Sequence, residues 1–592
     1  WIAAPKDPAD LYTRMAYVRE NHWKLTHLLN YNQTFYKHDI GMLLGFEEER
    51  FVKRTTDTAK LGVIDSSVGD SSSATTPSSI GGTGEEFTSR SYFGRINYAF
   101  DSRYLFEVNM RYDGSSRFAP DNRWGLFPSF SAGWRISEER FMKGLPIDNL
   151  KLRASWGKLG NNAIGNYEWQ AVYNSAKYAF GGSLNNGLAI TSISNNLLEW
   201  ESTAITNIGI DFATLRNRLT FEAEFYNKVT DGILYRPDMY MSLGTASGPR
   251  QNIAEVTNRG IEMTLNWQDR IGKVEYRVSG NFAYNQNKVS KYKGELQRGW
   301  VTDENGNRVY QTNIGDVSTG GSTRVIEGKM INEYYMLQPY KGSGNGFNAD
   351  GTVNINGGPR DGMIRTVDDM KWLNAMVGAG YKFYPRQNVS KSGIWYGDYI
   401  YADLNGDGVY GNDADNEFQG CSNVPKYNFG LQASANWKGF DFSMNWSGAA
   451  GFKIYYYRLA LNSSATIKGY AIGEAIANDH YFFDPKNPND PRTNLSSKNP
   501  RLTNNSGNDQ SGMTQSSVHL QKGDYIKLKN LTIGYTLPAV LSKKVYAQNI
   551  RFFASGENLF TITGYEGMDP EMRTAVGYST MRQYAFGVNI TF

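Results

Sequence analysis

One spacing in this chain carries a definite chemistry. In Asp403-Leu-Asn405-Gly-Asp407-Gly408, side-chain oxygens alternate and a glycine follows. Oxygen donors at positions 1, 3 and 5 of a loop, with a glycine at 6 for the sharp turn, are what a calcium loop requires. The backbone carbonyl of Val409 would supply the next ligand. The twelfth position is Ala414, flanked by Asp413 and Asp415, and either neighbour reaches the ion if the loop differs by one residue. A solvated turn rich in Asp and Asn has the same composition. Two readings therefore stand: a calcium ion held by Asp403, Asn405, Asp407, Val409, Asp413 and Asp415 in a structural role, or a polar turn.

Other reactive types are not arranged for catalysis. Glu222 and Glu224 are paired carboxylates, as a glycosidase would need, but residues two apart on one strand face are ordinary lining. His22, His27, His38, His480 and His519 are scattered, and no HExxH, GxSxG or phosphate-loop pattern occurs. Cys421 is the single cysteine, which excludes an intrachain disulfide and reads as a plain thiol. The chain reads as a non-enzyme. Ligand-binding candidates are aromatics set among Gly, Asn and Asp: Trp169, Tyr173, Tyr335, Tyr340, Trp395 and Tyr396. Ring faces beside amides suit sugars by stacking, and suit peptides almost as well.

These residues lie between segments of strict alternation, which must position them. Tyr104, Phe106, Val108, Met110 and Tyr112 oppose Glu107, Asn109 and Arg111, and Tyr427 to Trp437 and Phe440 to Trp446 repeat the pattern. The last residues alternate to the terminus, with Tyr584, Phe586, Val588, Ile590 and Phe592 on one face. Roughly 16 to 18 candidate strands emerge, many near the ~10 residues that cross a bilayer when tilted. Short turns alternate with long excursions, expected at about 53–88, 286–325, 340–425 and 450–520. That asymmetry is characteristic of outer-membrane barrels. The expected fold is all-β, a transmembrane antiparallel β-barrel; a soluble multi-sheet lectin is the weaker alternative.

Composition agrees. Aromatics make up 14% of the 592 residues, with 39 Tyr, which favour a boundary between apolar and wet surroundings. No apolar run approaches the ~20 residues of a spanning helix, and mean hydropathy is -0.53. A formal net charge of +4 with dispersed Lys and Arg argues against nucleic acid. The chain opens on Trp1 without a signal peptide, so a preceding segment is expected.

From residue 92 the sequence becomes specific. Tyr92-Phe-Gly-Arg-Ile-Asn-Tyr98, Leu105-Phe-Glu-Val-Asn-Met-Arg-Tyr-Asp-Gly-Ser-Ser-Arg-Phe118, Trp124-Gly-Leu-Phe-Pro-Ser-Phe-Ser-Ala-Gly-Trp134 and Lys151-Leu-Arg-Ala-Ser-Trp-Gly157 resemble the SusC-like TonB-dependent outer-membrane transporters. Gly556-Glu-Asn-Leu-Phe-Thr-Ile-Thr563 and the terminal strand do so too. The resemblance implies twenty-two strands in the intact protein, a plug and first strands N-terminal to this chain, a SusD-like lipoprotein as lid, and TonB as the source of drive. Residues 1–592 would then be the C-terminal majority of a barrel set in outer-membrane lipid. The implied function is import of an oligomer, with oligosaccharide favoured and oligopeptide the alternative. A passive porin or outer-membrane binding protein is the reading from another class.

Overall fold

A computed structural model describes residues 11–592 except 65–69, 236–248, 293–298, 303–307, 312–316, 319–322, 326, 385–387, 457–473, 503–515, 574–577 and 579. Its main feature is an antiparallel sheet of 15 strands whose neighbours follow chain order. The first six are β1 (Tyr12–Phe35), β2 (His38–Val63), β3 (Ala74–Phe100), β4 (Tyr104–Ser115), β5 (Trp124–Arg135) and β6 (Ile147–Asn161). The ladder order continues through Glu201–Thr214, Leu219–Tyr235, Gln251–Ile271, Val274–Tyr292, Tyr427–Trp437, Phe440–Ala450, Tyr525–Thr536, Asn549–Thr563 and Gln583–Thr591. The all-β expectation is met, and no described helix is long and apolar enough to cross a membrane. Contacts divide the chain into two units, the first holding Trp1–Leu145, Asn149–Ile210 and Tyr226–Glu255, the second the rest.

In the first unit, register explains the alternation. Residues directly opposite each other in antiparallel strands share a face. Ile96 lies opposite Met42 and Val108, and Val108 opposite Phe130. All four point outward, and Ile96, Val108 and Phe130 are 37–48% exposed. Aromatic rings border this apolar surface: Tyr112 stacks on Trp124 at 4.8 Å between centroids, and Tyr98 on Phe106 at 6.5 Å. A wall of exposed hydrophobic side chains is unstable against water and stable against lipid.

One expected loop is strand instead. Residues 53–88 were expected as a polar excursion, yet β2 runs on to Val63 and β3 starts at Ala74, with Thr56 opposite Gly82 and Thr58 opposite Ile80. Thr55, Thr56 and Thr58 are good strand formers. Because polar residues stand on both faces here, the period of two disappears from the sequence while the pairing persists. β4 ends at Ser115 opposite Ser89, so the ribbon projects beyond it.

In the second unit, the excursion after Val274–Tyr292 contains a packed body. Trp372, Leu373, Met376, Met363, Ile364 and Tyr401 are completely buried. The helix α1 (Val367–Gly378) starts at a capping box in which Thr366 and Asp369 satisfy each other's backbone N–H groups. Trp372 on its inner face donates through Nε1 to the Asn354 carbonyl at 2.8 Å. Gly358, at φ +71°, lies against the Trp372 ring, and a Cβ there would come within 2.5 Å of it. Of the other expected excursions, 286–325 and 450–520 lie partly outside the described residues; in the second, Lys453–Tyr455 pairs with Leu520–Lys522.

Candidate functional site

The inward face of the first unit is polar where the outward face is greasy, because strand alternation requires one to mirror the other. Asn97 lies opposite Gly41 and Glu107, Glu107 opposite Ser131, and Ser131 opposite Ser155. With Asn32, Thr34, Asp39, Lys151, Arg153 and Asn207 they line a cavity of about 610 Å³ near the short turns. Thr34 donates to Asp39 at 2.6 Å, and Asn109 to Glu107 at 2.7 Å. Higher on the same face, Lys24 pairs with Glu47 at 2.8 Å, and Glu49 bonds both His22 (2.7 Å) and Ser89 (3.1 Å). Chemically this surface offers amides, hydroxyls and balanced charge, which can replace the hydration of a polar guest. The Asn and Ser of this face were visible as the polar half of each alternation, yet none carried a motif that singled it out.

The expected aromatic ligand set divides between the units, with Trp169 and Tyr173 in the first and Tyr335, Tyr340, Trp395 and Tyr396 in the second. Tyr335, Tyr340 and Tyr396 are buried, between 5 and 7% exposed. Tyr340 stacks on Trp372 at 5.2 Å and donates its hydroxyl to the carbonyls of Ile355 and Gly357, both at 2.8 Å. Burial raises its phenol above the ordinary range. Tyr335 lies against Phe418, and Trp395 meets Tyr396 edge to face. Tyr335, Tyr340 and Tyr396 pack loop against loop, and Trp395 is partly buried beside them. In the first unit, Trp169 is half-buried against Phe118, Ile164 and Leu198, while Tyr173 stands 57% exposed on the hairpin Val172–Phe180 with Ser183–Ser192.

The Asp403 loop closes on its own backbone. Asp403 accepts N–H groups from Gly406 (2.7 Å) and Gly408 (2.9 Å), and Asp407 accepts from Val409 at 2.8 Å. Asn405 accepts from the Asp407 N–H and donates to its carboxylate. Asp415 is fully buried and receives four backbone N–H groups, from Leu404, Asn405, Gly411 and Asn412. Burial still pushes its carboxyl up to about 6. Asp415 therefore acts as the internal staple of the loop, and the side chain of Asp413 lies outside the described residues. Among the described residues no three His, Cys, Asp or Glu groups converge as a metal cluster. Any cation would rest on single lone pairs of Asp403, Asn405 and Asp407 plus the Val409 carbonyl.

A further pair anchors the body. Asp398, 2% exposed, accepts from Arg501 at 2.7 and 2.9 Å and from the Trp395 N–H at 2.8 Å. Arg501 also donates to the Lys391 and Gly393 carbonyls. Nothing in the local sequence marked this pair, since its members are 103 residues apart.

The model of the family described as "TonB dependent receptor-like, beta-barrel" matches residues 5–559. The chain belongs to this family. Its members are outer-membrane proteins that cross by strands and are transporters, not enzymes, so the outward apolar wall faces lipid. Similar relatives include TonB-dependent receptor P39 of Formosa agariphila, 30% identical over 95% of this chain and 52% of its own length. TonB-dependent receptor SusC of Bacteroides thetaiotaomicron is 28% identical over 85% of this chain and 43% of its own length. The chain thus spans about half the length of the curated relatives it matches. The solved structure of the RagAB peptide transporter superposes with a TM-score of 0.74 at 21% identity, over 98% of this chain and 56% of the other, which supports the fold.

Proposed function

We propose that the intact protein imports a hydrophilic oligomer across the outer membrane, driven through TonB, with a surface lipoprotein as lid. Family membership supports the transport class, and relatives named TonB-dependent receptors, SusC among them, support the coupling to TonB. The observation that carries the substrate class is the inward lining. Asn32, Thr34, Asn97, Ser131, Ser155 and Asn207 outnumber its four charged residues, Asp39, Glu107, Lys151 and Arg153. Amides and hydroxyls exchange hydrogen bonds with sugar hydroxyls at little desolvation cost, which favours an oligosaccharide. The mixed charges support an oligopeptide as the second reading, since they would match its termini and side chains.

Calorimetry on the full-length protein with its lid partner, titrated with glycan and peptide oligomers in parallel, tests the choice. Micromolar heats from glycans only are expected; heats from peptides only reverse the substrate class. Uptake by whole cells that persists after the TonB system is disabled would leave a passive porin instead.

A further inference from the structure

On the outward face of the first unit, β1 carries Tyr31, Leu29, Leu25 and Trp23 in sequence, between 44 and 69% exposed. With His27 between Leu25 and Leu29 on the same face, this mostly apolar run covers ~26 Å along the strand, or ~20 Å of height at a tilt of about 40°, most of the ~25 Å apolar band of an outer-membrane barrel. Directly above Trp23, on the same face and away from the short turns, the chemistry changes. Arg54 stands opposite Arg19, Val52 opposite Asn21 and Arg50 opposite Trp23. These six residues line a depression of about 340 Å³.

Two features of this depression need a ligand to make sense of them. Like charges directly opposite each other across strands are destabilising, and Arg19 and Arg54 form such a pair. Neighbouring charges on this face are already matched, Arg50 with Glu86 at 2.8 Å and Arg90 with Glu48 at 2.8 Å. No carboxylate among the described residues pairs with Arg19 or Arg54. The second feature is level: the depression opens where Trp23 ends the lipid-facing run, at the height of lipid headgroups.

We infer that Arg19 and Arg54, with Arg50 held by Glu86 at their edge, form a cradle for a phosphate group at the membrane interface, presented by an anionic lipid whose chains lie along Leu25, Leu29 and Tyr31. Guanidinium forks match phosphate oxygens bidentately, and a dianion between Arg19 and Arg54 turns their repulsion into attraction. Asn21 adds an amide donor, and the Trp23 ring closes the lower edge. The cradle depends on the membrane placement of the wall and is independent of which oligomer is imported.

The test uses full-length protein in detergent and native mass spectrometry. Wild type and the Arg19→Gln/Arg54→Gln variant are titrated with bisphosphorylated lipid A, with its dephosphorylated counterpart, and with inorganic phosphate. Wild type should prefer the phosphorylated lipid by about tenfold or more, the scale of one charge-assisted hydrogen bond, and the double variant should lose that margin. Lys24→Gln/Lys53→Gln, on the opposite face, should keep it. Heat-modifiable migration on gels reports separately that each variant is folded and inserted. Binding of inorganic phosphate that the double variant loses would support the cradle with a soluble source. Equal binding of both lipids by wild type, or an unchanged margin in a folded double variant, overturns the proposal.

Discussion

The strand wall and the body around α1 use the same residue types in opposite ways. In the wall, Ile96, Phe130 and Tyr112 turn outward and stay exposed, while polar residues line the inside. In the body, Tyr340, Tyr396, Tyr401 and Trp372 turn inward and vanish from the surface. The difference is the solvent each faces. Lipid rewards an apolar exterior, whereas water forces aromatics into a core and leaves their polar tips to find internal partners.

The sharpest way to break this contrast is at the polar centre of the body. Asp398→Ala strands Arg501 without its carboxylate, and removing one member of a buried pair costs about 3–5 kcal/mol. Hydrogen exchange should show the 388–401 segment opening while wall strands stay protected. If exchange there is unchanged, Asp398 does not anchor the body.

Next in size is the wall. Ile96→Arg places a guanidinium on the lipid face and should cost about 2–4 kcal/mol near the midplane. Asn97→Arg, one residue on and facing inward, should leave stability nearly unchanged. Comparing the two unfolding midpoints in detergent or lipid checks which face meets lipid; equal penalties would contradict the assignment.

That pair also shows what was legible beforehand. Adjacent residues with opposite fates are what a period of two encodes, so Ile96 and Asn97 could be placed from sequence alone. Residues 53–88 could not, because Thr and Ser suit a strand wetted on both faces as well as a loop. The surroundings of Tyr340 were hidden for a related reason. Tyr340 among Gly and Asn looks like a binding residue, but its partners Trp372 and Gly357 come from elsewhere in a long excursion, and only tertiary packing shows that the ring is enclosed. The Asp398–Arg501 pair was invisible for the same reason, being wholly non-local.

Tyr340→Phe sharpens the aromatic half of the comparison. It keeps the ring but removes the one donor to the Ile355 and Gly357 carbonyls, leaving buried acceptors unmatched at a cost of about 1–3 kcal/mol. Tyr173→Phe, on an exposed hairpin, should change stability by less than about 0.5 kcal/mol. If Tyr340→Phe instead abolishes substrate binding with the body intact, Tyr340 is a ligand residue after all.

A last comparison concerns the Asp403 loop, where pH and cation can be read together. Burial holds the Asp415 carboxyl at about 6, above its ordinary value of 3.8. A carboxyl raised on folding binds more protons in the native state between those two values. Its contribution is therefore fully present below about pH 4 and declines as pH rises to about 6, by at most about 1.4 kcal/mol per pH unit. Asp415→Asn should flatten that slope relative to wild type in thermal melts of the body; an identical slope would mean that its four N–H donors hold the charged form as in water. The same melts address the cation. We propose that calcium, if it binds, does so through Asp403, Asn405, Asp407 and the Val409 carbonyl, so millimolar calcium should raise the midpoint of wild type by a few degrees and leave Asp403→Asn unmoved. A wild-type midpoint indifferent to calcium and to chelator would reduce the loop to a turn closed by its own backbone on the carboxylates of Asp403, Asp407 and Asp415.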